Sequence, residues 1–543
     1  MDKKATPTLW KDKQAILLLV VVLAAGLAIS LYLYAGPMPF YDDVYYLNCA
    51  HSFITGNFTF IDNPFCYSFL NIAPTALSTY LLGNGGVQAV LPDIVEYALL
   101  VLVTFFVAYK LYDRYFASAG TLIVATAPFL VSYVTRVLSD ISIGLIIAVS
   151  IAVFLLSIKR KSPKLSLVAG LVASISIYMK IDGFFYIVLF IIAEFIAYRK
   201  AFSVNAGRDR RRNIKHERSI DTKNLIAAIA GVAIGLILYF LAFYLVMHNP
   251  FYPLKNFVTN PSSFGPFDEL STLFSPVTLG KIYIEEAYQL YPLGPIAVLA
   301  VIGSVIGLLK RNGPINYISF FNWAMFAYLI FGTSSLRGYI TVPVVSRFFD
   351  LNVMMLGVLG GYALFCLYDM LGGTTKHALF LKAGFLVFLV LVEISYLPLY
   401  NGTALYNSYS IELSKEIYSE VSYIKSHPIS DVTHVYINAY GGTQLLGLLF
   451  EEFAFNYSKG FELNSTDYNN EIPSDNPSMT CSEETADSGA YLVVMGTQKD
   501  SYFANTQKEF LANWLGKNCT ISPIEKIVYG AGQMAVPYIY KIN

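Results

Sequence analysis

Two adjacent carboxylates, Asp42 and Asp43, follow the first long apolar segment in the run Phe40-Tyr41-Asp42-Asp43-Val44-Tyr45-Tyr46. Like charges side by side at a membrane edge repel each other and lose hydration, a setting that suits one of them to take a proton as general base. A structural role is open to Asp43, because Asp is a preferred N-cap and Val44, Leu47, Ala50 and Ile54 fall at helical spacing after it. Further charges stand where apolar segments end: Arg136 and Asp140, Lys180 and Asp182, Arg347 and Asp350. Charge beside a membrane needs a partner or a use. Singly, each pair reads as a salt bridge or an interface anchor. Together, the cations describe a cradle for an anionic lipid headgroup, because Arg and Lys bind phosphate through charge-assisted hydrogen bonds. His248 reads as a helix-end residue, while Glu194 and Glu393 lie within apolar segments without forming a relay. The sequence holds no HExxH zinc pair, no GxSG or GxGD protease motif and no Walker loop.

The elements that position these residues follow from composition. Of 543 residues, 55% are hydrophobic and 14% charged, where a soluble domain carries about 25% charged residues. That excludes a disordered chain and an ordinary soluble enzyme, and leaves a polytopic α-helical membrane protein. A bilayer crossing takes about 20 apolar residues, and candidate spans begin near Ala15, Val87, Ser118, Ile141, Leu165, Gly183, Leu225, Tyr291, Asn316, Phe348 and Ala383. Residues 1–400 therefore read as about eleven transmembrane helices with long outer loops at 36–86 and 248–290. The first segment is an anchor rather than a cleavable signal, being long and without a small-residue cleavage pattern.

Lys and Arg are sorted between the two sides. Twenty-three fall on the N-terminal side of the spans and six on the other side outside the tail. Positive residues stay inside, so the N-terminus is expected in the cytoplasm and residues 401–543 outside a plasma membrane crossed many times. The glycosylation pattern N-x-[ST] occurs at Asn57, Asn401, Asn456, Asn464 and Asn518, all on the outer side of that scheme. Cys49 and Cys66 share the first outer loop and Cys481 and Cys519 share the tail, which makes them disulfide candidates in an oxidising exterior. The tail alternates helical segments (411–426, 443–453, 501–515) with strand-like ones (434–438, 490–495, 524–528, 535–542), as a small extracytoplasmic α/β domain does. With sixteen acidic residues, eight lysines and no arginine, it reads as an accessory or acceptor-binding module. The net charge of zero for the whole chain speaks against nucleic acid as a partner.

An apolar first segment followed by the Asp pair and an aromatic resembles the polyprenyl-phosphate-sugar-dependent membrane glycosyltransferases. This is the C-type superfamily of the protein O-mannosyltransferases and the lipid A aminoarabinose transferases. The likeness continues in Ala73-Pro74-Thr75-Ala76-Leu77 and in the block from Arg136-Val137-Leu138-Ser139-Asp140 through Leu167-Val168-Ala169-Gly170-Leu171 to Tyr178-Met179-Lys180. It ends at Arg347-Phe348, where the family has Arg-Tyr, and so covers residues 15 to 370 or thereabouts.

The resemblance implies an inverting transfer of a sugar from a polyprenyl (dolichyl) phosphate to a hydroxyl at the outer membrane face. In that scheme Asp42 is the general base, and Asp43 positions the acceptor or shares the base role. Lys180 and Arg347, with Arg136, neutralise the leaving lipid phosphate, while Asp140 orients one of these cations or a sugar hydroxyl. No metal or other cofactor is required, a divalent cation between Asp42 and Asp43 being the alternative. The partners implied are the lipid-linked sugar, surrounding membrane lipid, and a protein, lipid or glycan acceptor. The Trp-Trp-Asp motif of oligosaccharyltransferases is absent, Asn322-Trp323 standing alone, which speaks against transfer of a whole oligosaccharide to asparagine. Two rival readings are a transporter or lipid flippase, and a non-catalytic receptor or assembly protein with an outer binding domain. The first calls for paired broken helices in two repeats, and no internal repeat is found.

Overall fold

A computed structural model describes residues 9–34, 43–56, 64–83, 86–180, 183–205, 211–253, 293–331, 346–371, 391–392, 394–401 and 403, with strands at 435–438, 491–494, 521–526 and 538–542. The chain divides into two compact units, Met1–Pro37 with Cys49–Asn407, and Met38–Asn48 with Ser408–Asn543. The first is helical: α1 (Lys13–Tyr32), α2 (Asp43–Thr55, divided between the units), α3 (Phe69–Leu82), α4 (Gly86–Leu111), α5 (Arg114–Ala125), α6 (Pro128–Val131), α7 (Ser139–Arg160), α8 (Pro163–Met179), α9 (Gly183–Asn205) and α10 (Arg211–Met247). It continues with α11 (Gly294–Leu309), α12 (Gly313–Phe331), a 3-10 turn (Ser346–Asn352) and α13 (Val353–Leu371).

Among the described residues, five helices are long and apolar enough to cross a membrane: Lys13–Tyr32, Gly86–Leu111, Ser139–Arg160, Thr222–Met247 and Phe348–Met370. Of the shorter apolar helices, Pro163–Met179 packs between Ser139–Arg160 and Thr222–Met247, and Gly294–Leu309 packs on Phe348–Met370. The expected span at Ser118 is not one helix. It is α5 and α6, broken at Thr126 and Ala127, because Pro128 has no N–H to continue the ladder of α5 and instead opens α6 at its first position. Ala127 takes the extended conformation that a following proline favours. The carbonyls freed by the break are reclaimed by tyrosines: Tyr97 donates to Ala125 O at 2.7 Å, and Tyr400 donates to Thr126 O. The expected span at Ala383 lies mostly outside the described residues.

The ends of the helices are tied by polar side chains. Asp12 caps α1, accepting from the Ala15 N–H at 3.1 Å, and also accepts from Arg114 at the start of α5 and from Tyr109 near the end of α4. Reduced side chains let α8 and α10 lie close: a Cβ added at Gly170 would stand 2.1 Å from Ala228 O, and one at Gly231 would stand 2.2 Å from Leu167 O. Small-residue contact of this kind is how helices associate where no water drives them together. Cys49 of α2 and Cys66 of the 3-10 turn Pro64–Tyr67 form a disulfide that fastens α2 to the turn before α3.

The second unit contains a four-stranded sheet, β1 (Val435–Asn438), β2 (Tyr491–Val494), β3 (Ile521–Lys526) and β4 (Tyr538–Ile542), in the order β1-β2-β4-β3. β1 and β2 are parallel and the other pairs antiparallel. Parallel neighbours require a crossover connection; the helices expected at 443–453 and 501–515 lie outside the described residues. Pro523 falls in β3, an edge strand, with a register shift between Pro523 and Glu525, where a residue without an N–H is tolerated.

Candidate active site

The α7–α8 hairpin brings two of the singled-out charges together. Lys161 closes α7 in the left-handed conformation, the Ser162 side chain caps α8 by accepting from Leu165 N, and Pro163 occupies the first position of α8. Asp140 in the first turn of α7 and Lys180 at the end of α8 are then separated by two antiparallel helices of similar length, and meet at the same end. Lys180 Nζ lies 2.8 Å from Asp140 Oδ1, with Asp140 buried (3% exposed) and the lysine side chain 18% exposed. The sequence had each cation beside the acid nearest in the chain; the structure instead pairs Lys180 with Asp140 across the hairpin. Asp182, the sequence neighbour of Lys180, lies outside the described residues.

A third group covers the ammonium. Phe348 sits with its ring centroid 3.7 Å from Lys180 Nζ, a cation–π contact. This ring stands where the resembled family has tyrosine. The Ser346–Asn352 turn that carries it is held on two sides. Phe349 packs on Phe326 of α12 at 5.0 Å, and Asn352 Nδ2 donates to both oxygens of Asn322, at 2.9 and 3.0 Å. On its other side the turn rests on Gly144 of α7, where an added Cβ would lie 2.6 Å from Asp350 O. Asn322 and Trp323 thus have packing roles: Trp323 Nε1 donates to Ser304 Oγ at 2.8 Å. The Arg347 side chain lies outside the described residues.

Arg136 is buried at the same end, its guanidinium carbon 5.6 Å from the Tyr133 ring centroid. Asp43 opens α2 and is buried, in the second unit; Asp42 lies outside the described residues. Asn401 is exposed, whereas Asn57, Asn456, Asn464, Asn518, Cys481 and Cys519 lie outside the described residues. Among the described residues no three His, Cys, Asp or Glu side chains are grouped to hold a metal ion. Glu194 is buried in α9.

Four residues near the pair were not singled out from sequence: Asn71 on α3, Asp93 and Glu96 on α4, and Ser142 on α7. Asp93 Oδ1 accepts the Leu138 N–H at 3.4 Å, just before α7 begins. Ser142 Oγ lies 2.8 Å from Asn71 Oδ1 and also hydrogen-bonds Glu96 Oε2. The available signal was two acids three residues apart inside an apolar segment. Glu96 also edges a cavity of about 360 Å³ between α3 and α4, lined by Pro74, Leu77, Leu81, Pro92 and Val95 among others.

Residues 63–205 match the family of dolichyl-phosphate-mannose-protein mannosyltransferases, a segment that holds both members of the Asp140–Lys180 pair. The fold extends the likeness over the chain. ArnT from Cupriavidus metallidurans, solved bound to undecaprenyl phosphate, superposes with a TM-score of 0.58 at 14% identity, over 96% of this chain and 97% of that one. The oligosaccharyltransferase of Archaeoglobus fulgidus, solved with a tethered acceptor peptide containing the NVT sequon, gives 0.51 at 14% identity, over 89% of this chain and 69% of that one. No curated protein matches by sequence. Residues 63–205 thus resemble that family, and the chain as a whole shares the fold of ArnT.

Proposed function

We propose that the protein moves a sugar from a polyprenyl or dolichyl phosphate to a hydroxyl acceptor at the outer face of the membrane, with inversion at the anomeric carbon. One observation carries this reading: Lys180, partly accessible, is held by Asp140 at 2.8 Å and roofed by Phe348, inside the segment that matches the mannosyltransferase family. A cation steadied by a buried acid and an aromatic face is prepared to receive a phosphate oxygen while keeping its position. ArnT, whose fold this chain shares, binds undecaprenyl phosphate.

In this reading Lys180, Arg347 and Arg136 bind the donor phosphate and stabilise it as it leaves, and Asp140 orients Lys180. Asp42 removes the proton of the acceptor hydroxyl as that oxygen attacks the anomeric carbon, with Asp43 positioning the acceptor. The charge steps fall to side chains, and no metal is assigned to them. The surrounding assembly is taken to be about eleven spans in residues 1–400, with the N-terminus in the cytoplasm and a small α/β domain, 401–543, outside a plasma membrane. Asn57, Asn401, Asn456, Asn464 and Asn518 are then accessible to glycosylation, and Cys481 and Cys519 to pairing.

The test is donor consumption by the purified protein across a panel of polyprenyl-phosphate sugars, read as release of free lipid phosphate. Lys180→Ala is expected to weaken donor binding, and Asp42→Asn to abolish transfer while the protein still inserts. Full transfer by Asp42→Asn, or unchanged donor affinity in Lys180→Ala, removes the corresponding role.

A further inference from the structure

The Asp140–Lys180 pair is bracketed by contacts from a helix that carries neither residue. Asp140 sits two positions after Leu138 and two before Ser142. Both flanking residues are gripped by α4: the Leu138 N–H donates to Asp93 Oδ1 at 3.4 Å, and the Ser142 hydroxyl meets Glu96. Asp93 and Glu96 are three residues apart and so share a face of α4. Leu138 is the N-cap residue of α7 and has no side-chain capping hydrogen bond. In a capping box, an acid three residues into the helix reaches back to the N-cap N–H; here an acid from another helix does it. Asn71 of α3 closes the group, 2.8 Å from Ser142 Oγ.

We propose that Asp93 and Glu96 are positioning residues for donor binding: they fix the first turn of α7, and through it the direction in which Asp140 holds Lys180. The inference rests on the phosphate-binding reading of Lys180 given above. Its physical basis is that Asp140 has one short side chain on a helix end, and helix ends fray unless tied. With α7 anchored on both sides of Asp140, the carboxylate keeps Lys180 beneath Phe348 whether or not a donor is present. Without the anchors, donor binding must first order that turn. Ser142 has a single hydroxyl hydrogen and two oxygen partners, so glutamine at 96, which can offer either a donor or an acceptor at the same reach, is the conservative replacement.

The experiment is equilibrium binding of polyprenyl phosphate, with donor KM and kcat, for the full-length protein and its variants. Asp93→Ala and Glu96→Ala are expected to weaken polyprenyl phosphate binding about tenfold and to raise donor KM more than they lower kcat, whereas Glu96→Gln stays within about twofold of the parent. The decisive readout is non-additivity. Because the two acids act through Asp140, adding Glu96→Ala to Asp140→Asn is expected to cost no further affinity, where an independent structural effect would add. If Glu96→Ala does not insert, Ser142→Ala removes the hydroxyl Glu96 holds and reads the same link. Unchanged binding in Asp93→Ala and Glu96→Ala, or additive losses with Asp140→Asn, overturns the proposal when Lys180→Ala still weakens binding. Unchanged binding in Lys180→Ala overturns instead the phosphate reading beneath it.

Discussion

Gly144→Ala puts a single carbon where α7 meets the turn that covers Lys180. The new Cβ would stand 2.6 Å from Asp350 O, 3.1 Å from Asp350 C and 3.7 Å from Leu351 N, all backbone atoms of that turn. Even weak C–H···O contacts sit at about 3.3 Å, so the turn must retreat by roughly 0.7 Å, and no side-chain rotation can relieve the contact. Alanine is favoured over glycine inside a helix by about 1 kcal/mol, and overpacking costs about 1–3 kcal/mol. The net destabilisation is therefore small, about 0–2 kcal/mol. The consequence at the site is larger in kind, because Phe348 and Arg347 travel with the turn while Lys180 stays with α8. Thermal unfolding of the detergent-solubilised protein and equilibrium binding of polyprenyl phosphate measure the two effects separately. Gly294→Ala is the control, since a Cβ there meets nothing within 4 Å. Gly144→Ala is expected to lose donor affinity with a modest drop in melting temperature. If it matches Gly294→Ala in both stability and donor binding, the close-contact reasoning is wrong.

The remaining predictions concern stability. Replacing Cys49 and Cys66 by serine opens a loop of sequence separation 17 and is expected to cost on the order of 3 kcal/mol; a reducing agent should lower the melting temperature of the parent protein by more than that of the double variant. Burial pushes the Asp12 carboxyl up, but hydrogen bonds from Ala15 N–H, Arg114 and Tyr109 outweigh it and hold the group below its ordinary 3.8. A lowered folded-state value means that this contribution is present above the unfolded pKa and is lost as pH falls through the folded one. Melting temperature measured from pH 6 down to pH 3, a window of about the width linkage requires, should therefore fall less steeply below pH 4 in Asp12→Asn than in the parent.

Much of the helical unit is legible in the sequence because apolar length is a local property. α1, α4, α7 and α10 can be read from runs near Ala15, Val87, Ile141 and Leu225, since a segment that must satisfy its backbone without water has one solution. The segment near Ser118 misleads for the same reason: its hydrophobicity is sufficient, but Pro128 breaks it, and hydropathy does not register a missing N–H. The strands can be read from the segments 434–438, 490–495, 524–528 and 535–542, although not that β3 starts earlier, at Ile521, and ends at Lys526, nor that β4 lies between β2 and β3.

The candidate site divides along the same line. By itself the sequence determined that this is a membrane protein, which charges stand at the ends of its spans, and which of them fall in the run resembling a lipid-phosphate-dependent transferase. Each of these depends on residue type and on spacing along the chain. Only the tertiary structure decided that Asp140 holds Lys180, that Phe348 covers the ammonium, and that Asp93 and Glu96 grip α7 on either side of Asp140. Those contacts join residues 40 to more than 160 positions apart, and their strength depends on burial, angle and distances of a few ångström. Helix pairing sets these quantities, and residue order along one chain does not encode them pair by pair.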